Sequence, residues 1–333
     1  MQNAKLARRA LVTGATGFIG THLVKQMRRE GYSVRVLARK TSNLTNLHDL
    51  GVEVFYGDVT EPRSLAGICK EIDYVIHLAA QTESGGVSKE QYDLTNFRGT
   101  MNVVEKAAAN KVEKFIFISS IAAMGIRNLG MVSPATPCKP NTNYGRSKAR
   151  AEESLIKKYN EIGFPVVIIR PPTVFGEGEH FNFLALCRQI RHGPYFIMGK
   201  GDSKIDFCQV ENLVQAIMKS LVRGKPGEVY LIADGGPYTI QEVSETIGKV
   251  AGVRINPLHV PPWLAYLPAA LVGTSYKVMS LNPPINAQRV RTLSGSFYFD
   301  ISKAREDLDY RPSGEFEQRV RQVFAWYERN GLL

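Results

Sequence analysis

The sequence predicts an α/β protein built on a doubly wound parallel sheet, with a smaller C-terminal lobe. Three observations lead there. Short apolar runs alternate with helix-like stretches as far as Ala233. The run Ala10-Leu11-Val12 leads into Thr13-Gly14-Ala15-Thr16-Gly17-Phe18-Ile19-Gly20, whose spaced glycines open a helix-like run through Glu30. The 333 residues, 44% hydrophobic and 22% charged, match an ordinary globular protein able to bury a large core.

A strand, a glycine turn and a helix start together make a pyrophosphate site. Gly14 permits the tight turn, Gly17 lets the backbone approach the phosphates, and Gly20 lets the helix pack closely on the strand. The N–H groups and dipole at the helix start favour negative charge. Gly14, Thr16, Gly17, Phe18 and Ile19 are therefore expected at the cofactor of a dinucleotide-binding, Rossmann-type domain.

The second strand is expected at Val34 to Ala38 and the third at Val52 to Tyr56. Further strands are expected at Tyr74 to Leu78, Lys114 to Ser119, Val166 to Arg170 and Glu228 to Ala233. Ligands of such sheets bind beyond the carboxyl ends of the strands. The second strand ends in Arg39-Lys40, where an NAD-binding fold usually places an acid for the ribose 2'-hydroxyl. Cations there pair with a 2'-phosphate, so the expected cofactor is NADP(H). Asp58, followed by Val59, can accept from an adenine amino group, or cap a helix running through Ser64, or do both. Leu78-Ala79-Ala80 ends the fourth strand with small residues that suit a backbone lying against a ribose. His77 reads as a packed residue rather than a catalyst.

The formal charge is +11, from 42 Lys+Arg against 31 Asp+Glu. The cations are scattered, so the expectation is a solvated basic surface and no nucleic-acid partner. Cys69, Cys138, Cys187 and Cys208 show no CxxC spacing and no histidine pattern. No metal site or disulfide framework is indicated, and a reducing cytoplasm fits best. The first strand begins within about ten residues of Met1, leaving no room for a signal peptide. No stretch approaches the ~18 to 20 apolar residues of a membrane span. Val260 to Gly273 comes nearest but contains Pro261, Pro262 and Pro268, and reads as a pocket wall or an apolar patch touching lipid.

The reacting groups follow. Phe115-Ile116-Phe117-Ile118 emerges into Ser119-Ser120, and Tyr144-Gly145-Arg146-Ser147-Lys148 comes after Pro140-Asn141-Thr142-Asn143, which reads as a helix start. A helix puts Tyr144 and Lys148 on one face, one turn apart. Reducing a ketone needs a proton donor at oxygen as hydride reaches carbon, and a free tyrosine with a pKa near 10 is a poor match to neutral pH. A neighbouring ammonium favours the phenolate. A serine hydroxyl can donate to the same substrate oxygen.

With these motifs the sequence resembles the extended short-chain dehydrogenase/reductase family. The likeness runs through TGATGFIG (13 to 20), GDV (57 to 59), HLAA (77 to 80), NFRGT (96 to 100), SS (119 to 120), YGRSK (144 to 148), RPPTVFG (170 to 176) and KAREDLDYRPS (303 to 313). The resemblance implies that Ser120, Tyr144 and Lys148 form the catalytic set, with Lys148 also on the nicotinamide ribose. Ser120 is preferred to Ser119 because it stands five residues before Gly125, the family's usual spacing. Val174 would meet the carboxamide side of the nicotinamide, with Pro171 also at the cofactor. Asn96 would sit in the helix behind the site, for support or for catalysis.

Departures narrow the activity that the resemblance implies. Sugar-nucleotide members commonly carry an arginine before the Asp-Phe of a later strand, where Ile205 stands here. Dehydratase members carry an acidic pair after the catalytic hydroxyl, where Ile121-Ala122 stands here. The remaining likeness is to dihydroflavonol reductases and 3β-hydroxysteroid dehydrogenases, the former with an arginine matching Arg39 on the 2'-phosphate. Asp206 to Asn212 resembles the steroid-dehydrogenase pattern, apart from Cys208 and Gln209.

Residues 1–175 are expected to form the NADP(H)-binding domain and 176–333 mainly the substrate-binding lobe and C-terminal helix, with 206–234 returning to the main sheet. Phe181, Phe183, Tyr195, Phe196, Trp263, Tyr266 and Leu267 make the lobe apolar, which suits an apolar or aromatic alcohol or ketone. The helices around 88–110 and 144–160 pair subunits in relatives, so a homodimer is expected. The run Glu315 to Gly331 reads as an amphipathic helix packing on the outside. The expected activity is an NADP(H)-dependent alcohol–ketone oxidoreductase. The alternatives are a nucleotide-sugar epimerase and a catalytically silent NADP(H)-binding regulator.

Overall fold

The structure, a computed structural model, describes residues 8–82, 86–125, 130–261, 263–264 and 295–333. The chain runs β1 (Arg9–Thr13), α1 (Phe18–Arg29), β2 (Ser33–Ala38), β3 (Glu53–Tyr56), β4 (Tyr74–His77), α2 (Lys89–Tyr92), a π-helical stretch (Asp93–Arg98), α3 (Gly99–Ala109), β5 (Lys114–Ile118), β6 (Gly130–Val132), α4 (Asn143–Ile162), β7 (Val166–Arg170) and β8 (Thr173–Phe175). It continues through α5 (Asn182–His192), β9 (Phe196–Met198), β10 (Lys204–Ile205), β11 (Phe207–Gln209), α6 (Val210–Arg223), β12 (Val229–Leu231), β13 (Tyr238–Thr239), α7 (Ile240–Ala251), β14 (Leu258–Val260), β15 (Phe297–Phe299), α8 (Ser302–Leu308) and α9 (Phe316–Arg329).

Seven strands form one sheet in the order β12-β7-β5-β4-β1-β2-β3, and every pairing in it is parallel. The strands are near-continuous apolar runs because both faces are covered. Alternation divides them between two cores. Val12, Val36, Ile76, Ile116 and Ile169 pack with Leu23, Met27, Leu213 and Ile217 of α1 and α6. Leu11, Val75, Phe115, Phe117 and Ile168 pack with Val103, Val104, Ala151 and Leu155 of α3 and α4. From β1 the chain winds outward through β2 and β3, then crosses to β4 on the other side. A crevice opens at that reversal, beyond the ends of β1 and β4.

The fold class is the one expected from the sequence. Boundaries shift by a residue or two: Leu78 and Ser119 fall just past their strands, and the last strand contracts to Val229–Leu231. Within 206–234, β12 and α6 join the main body, while β11 instead pairs with β8 in a separate two-stranded sheet.

The lobe has its own core, where Phe175, Phe183, Phe207 and Ile247 meet Phe316, Val320, Phe324 and Tyr327. The C-terminal helix is amphipathic, with Gln318, Arg321, Gln322, Glu328 and Arg329 exposed on its outer face. Its apolar stripe completes this core, against α7 in particular. Of the aromatic residues expected in the lobe, Phe183 is buried in it and Tyr195 is partly buried against it. Phe181, Phe196 and Trp263 are exposed, and Tyr266 and Leu267 lie outside the described residues. The four cysteines are free. Among the described residues, no helix is long and apolar enough to cross a membrane.

Candidate active site

A cavity of about 770 Å³ lies beyond the ends of β1, β4 and β5. Its walls include Gly14, Thr16, Gly17, Phe18, Ile19, Arg39, Asp58, Val59, Leu78, Ala79, Ala80, Ser120, Tyr144 and Val174. Four residues expected at the cofactor, Lys40, Asn96, Lys148 and Pro171, are absent from its lining.

The glycine turn is shaped by close approach. Gly14 has φ 72°, and a Cβ there would stand 2.7 Å from the Ala79 nitrogen. A Cβ on Gly20 would stand 2.2 Å from the Gly14 oxygen, so α1 packs against β1 only without one. The opening N–H groups of α1 face the cavity region, a fit for a pyrophosphate.

At the other strand ends, Arg39 is on the wall and Lys40 is exposed off it. The Arg39 amide donates to Ser42 Oγ at 3.0 Å, which folds Ser42 onto the wall beside it. Asp58 does not cap a helix. Its Oδ1 accepts from the Thr60 amide and hydroxyl, both at 2.8 Å, while Glu61 starts the short 3-10 turn Pro62–Leu65. Asp58 stands four residues before Pro62, and Glu61 occupies the N-cap position.

His77 is fully buried, with Thr13 Oγ1 2.8 Å from Nδ1 and Thr100 Oγ1 3.0 Å from Nε2. The Thr100 hydroxyl already donates to the Asn96 carbonyl, so Nε2 carries the ring proton. Burial, helped by the charge of Lys148, pushes its pKa down to about 3. The imidazole is a neutral packing group, as expected.

Asn96 sits in the π-helical stretch with its side chain fully engaged. Oδ1 accepts from the Gln81 amide at 2.7 Å, and Nδ2 donates to the Gln81 carbonyl and to Ser147 Oγ, both at 3.0 Å. It supports the wall residue Gln81 and ties it to α4; it does not itself reach the cavity.

Ser120 faces the cavity and caps a 3-10 turn, its Oγ accepting from the Ala122 amide at 3.1 Å. Ser119 is buried, and among the described residues its Oγ has no hydrogen-bond partner. Thr142 caps α4 by accepting from the Gly145 amide at 2.9 Å, which puts half-buried Tyr144 in the first turn, on the cavity wall. Lys148 is one turn further, behind the wall. Its Nζ donates to the Ile118 carbonyl at 2.7 Å and stands 4.5 Å from the Phe117 ring centre. Burial lowers its pKa to about 8, against an opposing pull from Glu152.

Pro171 is buried, and its carbonyl accepts from the Ile121 amide at 3.1 Å. Its neighbours Pro172, Thr173 and Val174 face the cavity instead. Ile205 packs against the lobe core and is not part of the lining. Ile121 and Ala122 are in it, so the lining just past Ser120 is apolar.

Phe181, expected in the apolar lobe, is in the lining, and the cavity adds residues that sequence reasoning missed, among them Ser42, Thr60, Gln81, Thr82, Thr95, Thr173, Glu179 and Asn182. Ser42, a hydroxyl three residues beyond the strand-end arginine, was the most findable. Glu179 carried no local signal. It is buried, accepting from the Phe181 and Leu184 amides at 2.7 and 3.1 Å and from the Tyr327 hydroxyl at 3.0 Å.

The model of the NAD dependent epimerase/dehydratase family matches residues 10–233. The chain belongs to that family. It is 30% identical over 329 residues to a UDP-glucose 4-epimerase of Vibrio cholerae, covering 96% of this chain and 95% of that protein. It is 28% identical over 337 residues to a 3-beta-hydroxysteroid dehydrogenase of Mycolicibacterium neoaurum, covering 96% and 91%. The crystal structure of gox2253 superposes with a TM-score of 0.85 at 25% identity, covering 97% of this chain and 99% of that one. UDP-glucose 4-epimerase of Thermotoga maritima, solved with UDP-glucose, shares the fold at a TM-score of 0.78 and 23% identity, over 97% and 99% of the two chains. This is an enzyme family of the extended short-chain dehydrogenase/reductase type, and both steroid dehydrogenases and sugar-nucleotide epimerases are among the relatives of this chain.

Proposed function

We propose that this protein is an NADP(H)-dependent oxidoreductase interconverting a secondary alcohol and a ketone on an apolar or aromatic small molecule. The observation that carries the reading is one cavity holding Ser120 and Tyr144 together with the glycine turn and Arg39. Gly14, Gly17 and the start of α1 fit the pyrophosphate, and Arg39 with Ser42 fits a 2'-phosphate. The nicotinamide cofactor, when bound, supplies or takes up hydride. Tyr144 gives its phenolic proton to the carbonyl oxygen, and Ser120 Oγ donates to the same oxygen. The Lys148 ammonium stabilises negative charge developing on the Tyr144 oxygen. Ile121, Ala122, Pro172, Val174 and Phe181 give the substrate side an apolar cast. In this reading α3 and α4 pair two subunits, and the enzyme works in the cytoplasm with its cysteines reduced.

The test is nicotinamide absorbance during turnover, with NADPH and NADH in parallel against apolar, flavonoid and steroid ketones. Tyr144→Phe is expected to cost at least about 100-fold in turnover while cofactor binding persists. Arg39→Ala is expected to erode the preference for NADPH by roughly ten- to a hundredfold and leave NADH little changed. Intact turnover in Tyr144→Phe would sink the reading. The near-full-length likeness to a UDP-glucose 4-epimerase favours a second reading, epimerisation. Conversion of a sugar nucleotide with no net change in absorbance would establish it.

A further inference from the structure

Strands β9 and β14 form a parallel ribbon with Phe196 opposite Leu258 and Met198 opposite Val260. Alternation puts all four side chains on one face. Ile197, on the other face, is fully buried, whereas Phe196 is 43% and Leu258 61% exposed. Just past β14, Trp263 is 66% and Leu264 49% exposed. The backbone that presents them is tied down, with the Gly199 amide donating to the Val260 carbonyl and the Leu264 amide to the Pro261 carbonyl. Single exposed apolar residues are ordinary, but a group of this kind marks an interaction surface.

Charge identifies the partner. Lys200 follows the end of β9, Arg254 stands four residues before β14, and both are exposed. Among the described residues, neither is in an ion pair. On the β9 side Asp202 stands two residues beyond Lys200, and Gln241, whose amide donates to the Gly201 carbonyl, holds Glu245. From Thr246 to Val260, the stretch that leads through Arg254 into β14, the sequence contains no Asp or Glu. An apolar face with an exposed tryptophan and a cationic margin suits the boundary of a bilayer carrying negative headgroups.

We propose that the β9–β14 face docks the lobe peripherally on an anionic lipid bilayer. The inference does not depend on the catalytic reading, although an apolar alcohol or ketone would partition into the same bilayer.

The test is co-sedimentation of the full chain with vesicles of phosphatidylcholine alone and of phosphatidylcholine with phosphatidylglycerol. The wild type is expected to sediment with the mixed vesicles, less so as salt rises. The combined variant Phe196→Ser, Leu258→Ser, Trp263→Ser is expected to bind roughly tenfold or more weakly, with an unchanged melting curve. Lys200→Glu with Arg254→Glu is expected to abolish the preference for negative vesicles and keep the fold. A wild type that stays in the supernatant overturns the proposal, as does a serine variant that sediments equally well. A serine variant that alters only the solution mass of the protein also overturns it, by making the face a contact between copies.

Discussion

Lys148 and His77 show how one buried neighbourhood treats two titratable side chains. Both lose water, and the lysine charge adds to the pressure against protonating the imidazole. The histidine answers by staying neutral between two threonines. Its folded pKa, about 3, lies below the 6.5 of a free imidazole. The unfolded chain therefore binds the proton first, and stability is full above about pH 6.5 and declines as pH falls toward 3. By that linkage the histidine alone makes the wild type about 2 kcal/mol less stable at pH 5 than at pH 7. His77→Gln is expected to be less stable at neutral pH but to show a shallower acid slope, read by urea unfolding across that range. An identical slope would assign the acid sensitivity elsewhere.

At the scale of elements, the strand–turn–helix at β1 and α1 was legible because its signals are local. Three glycines, a buried strand and an apolar stripe fall within about twenty residues of one another. What could not be read there is the identity of the atoms that exclude a Cβ. Gly20→Ala would drive its methyl into the Gly14 carbonyl and Ala15, forcing α1 off β1. A loss on the order of 1 to 3 kcal/mol is expected, together with weaker NADPH binding, measured by thermal melting and fluorescence titration. A variant with native affinity would show that the turn tolerates the shift. The helix α9 makes the opposite point. Its amphipathic period was plain in Glu315 to Gly331, yet its partners Phe175, Phe183 and Phe207 come from distant segments. Periodicity reveals that a helix has an apolar face and says nothing of what covers it.

Across the whole molecule, α9 is linked to the cavity wall through Tyr327. The Tyr327 hydroxyl donates to Glu179, whose carboxylate also holds the first turn of α5 and the wall residue Phe181. Burial, reinforced by the Glu179 charge, pushes the Tyr327 pKa far up, so it remains a donor. Tyr327→Phe removes one hydrogen bond to a buried carboxylate, for an expected loss of about 1.5 to 3 kcal/mol. The substrate KM is expected to rise with kcat little changed, because Phe181 loosens while Ser120 and Tyr144 stay in place. Equal losses in both constants would point to damage spread through the fold.

The amino-acid sequence by itself determined the fold class, the glycine turn, the Ser-Ser strand end and the Tyr144–Lys148 pairing. Each is encoded by periodicity or by spacing within one element and its neighbours. Only the tertiary structure decided that Asn96 is spent on Gln81 and Ser147, that Lys148 lies behind the wall on the Ile118 carbonyl, and that Pro172 faces the cavity in place of Pro171. In extended backbone a step of one residue reverses the side chain. The partner of a buried polar group is chosen by packing between segments far apart in the chain, and so that choice is written in the assembled fold rather than in any local stretch.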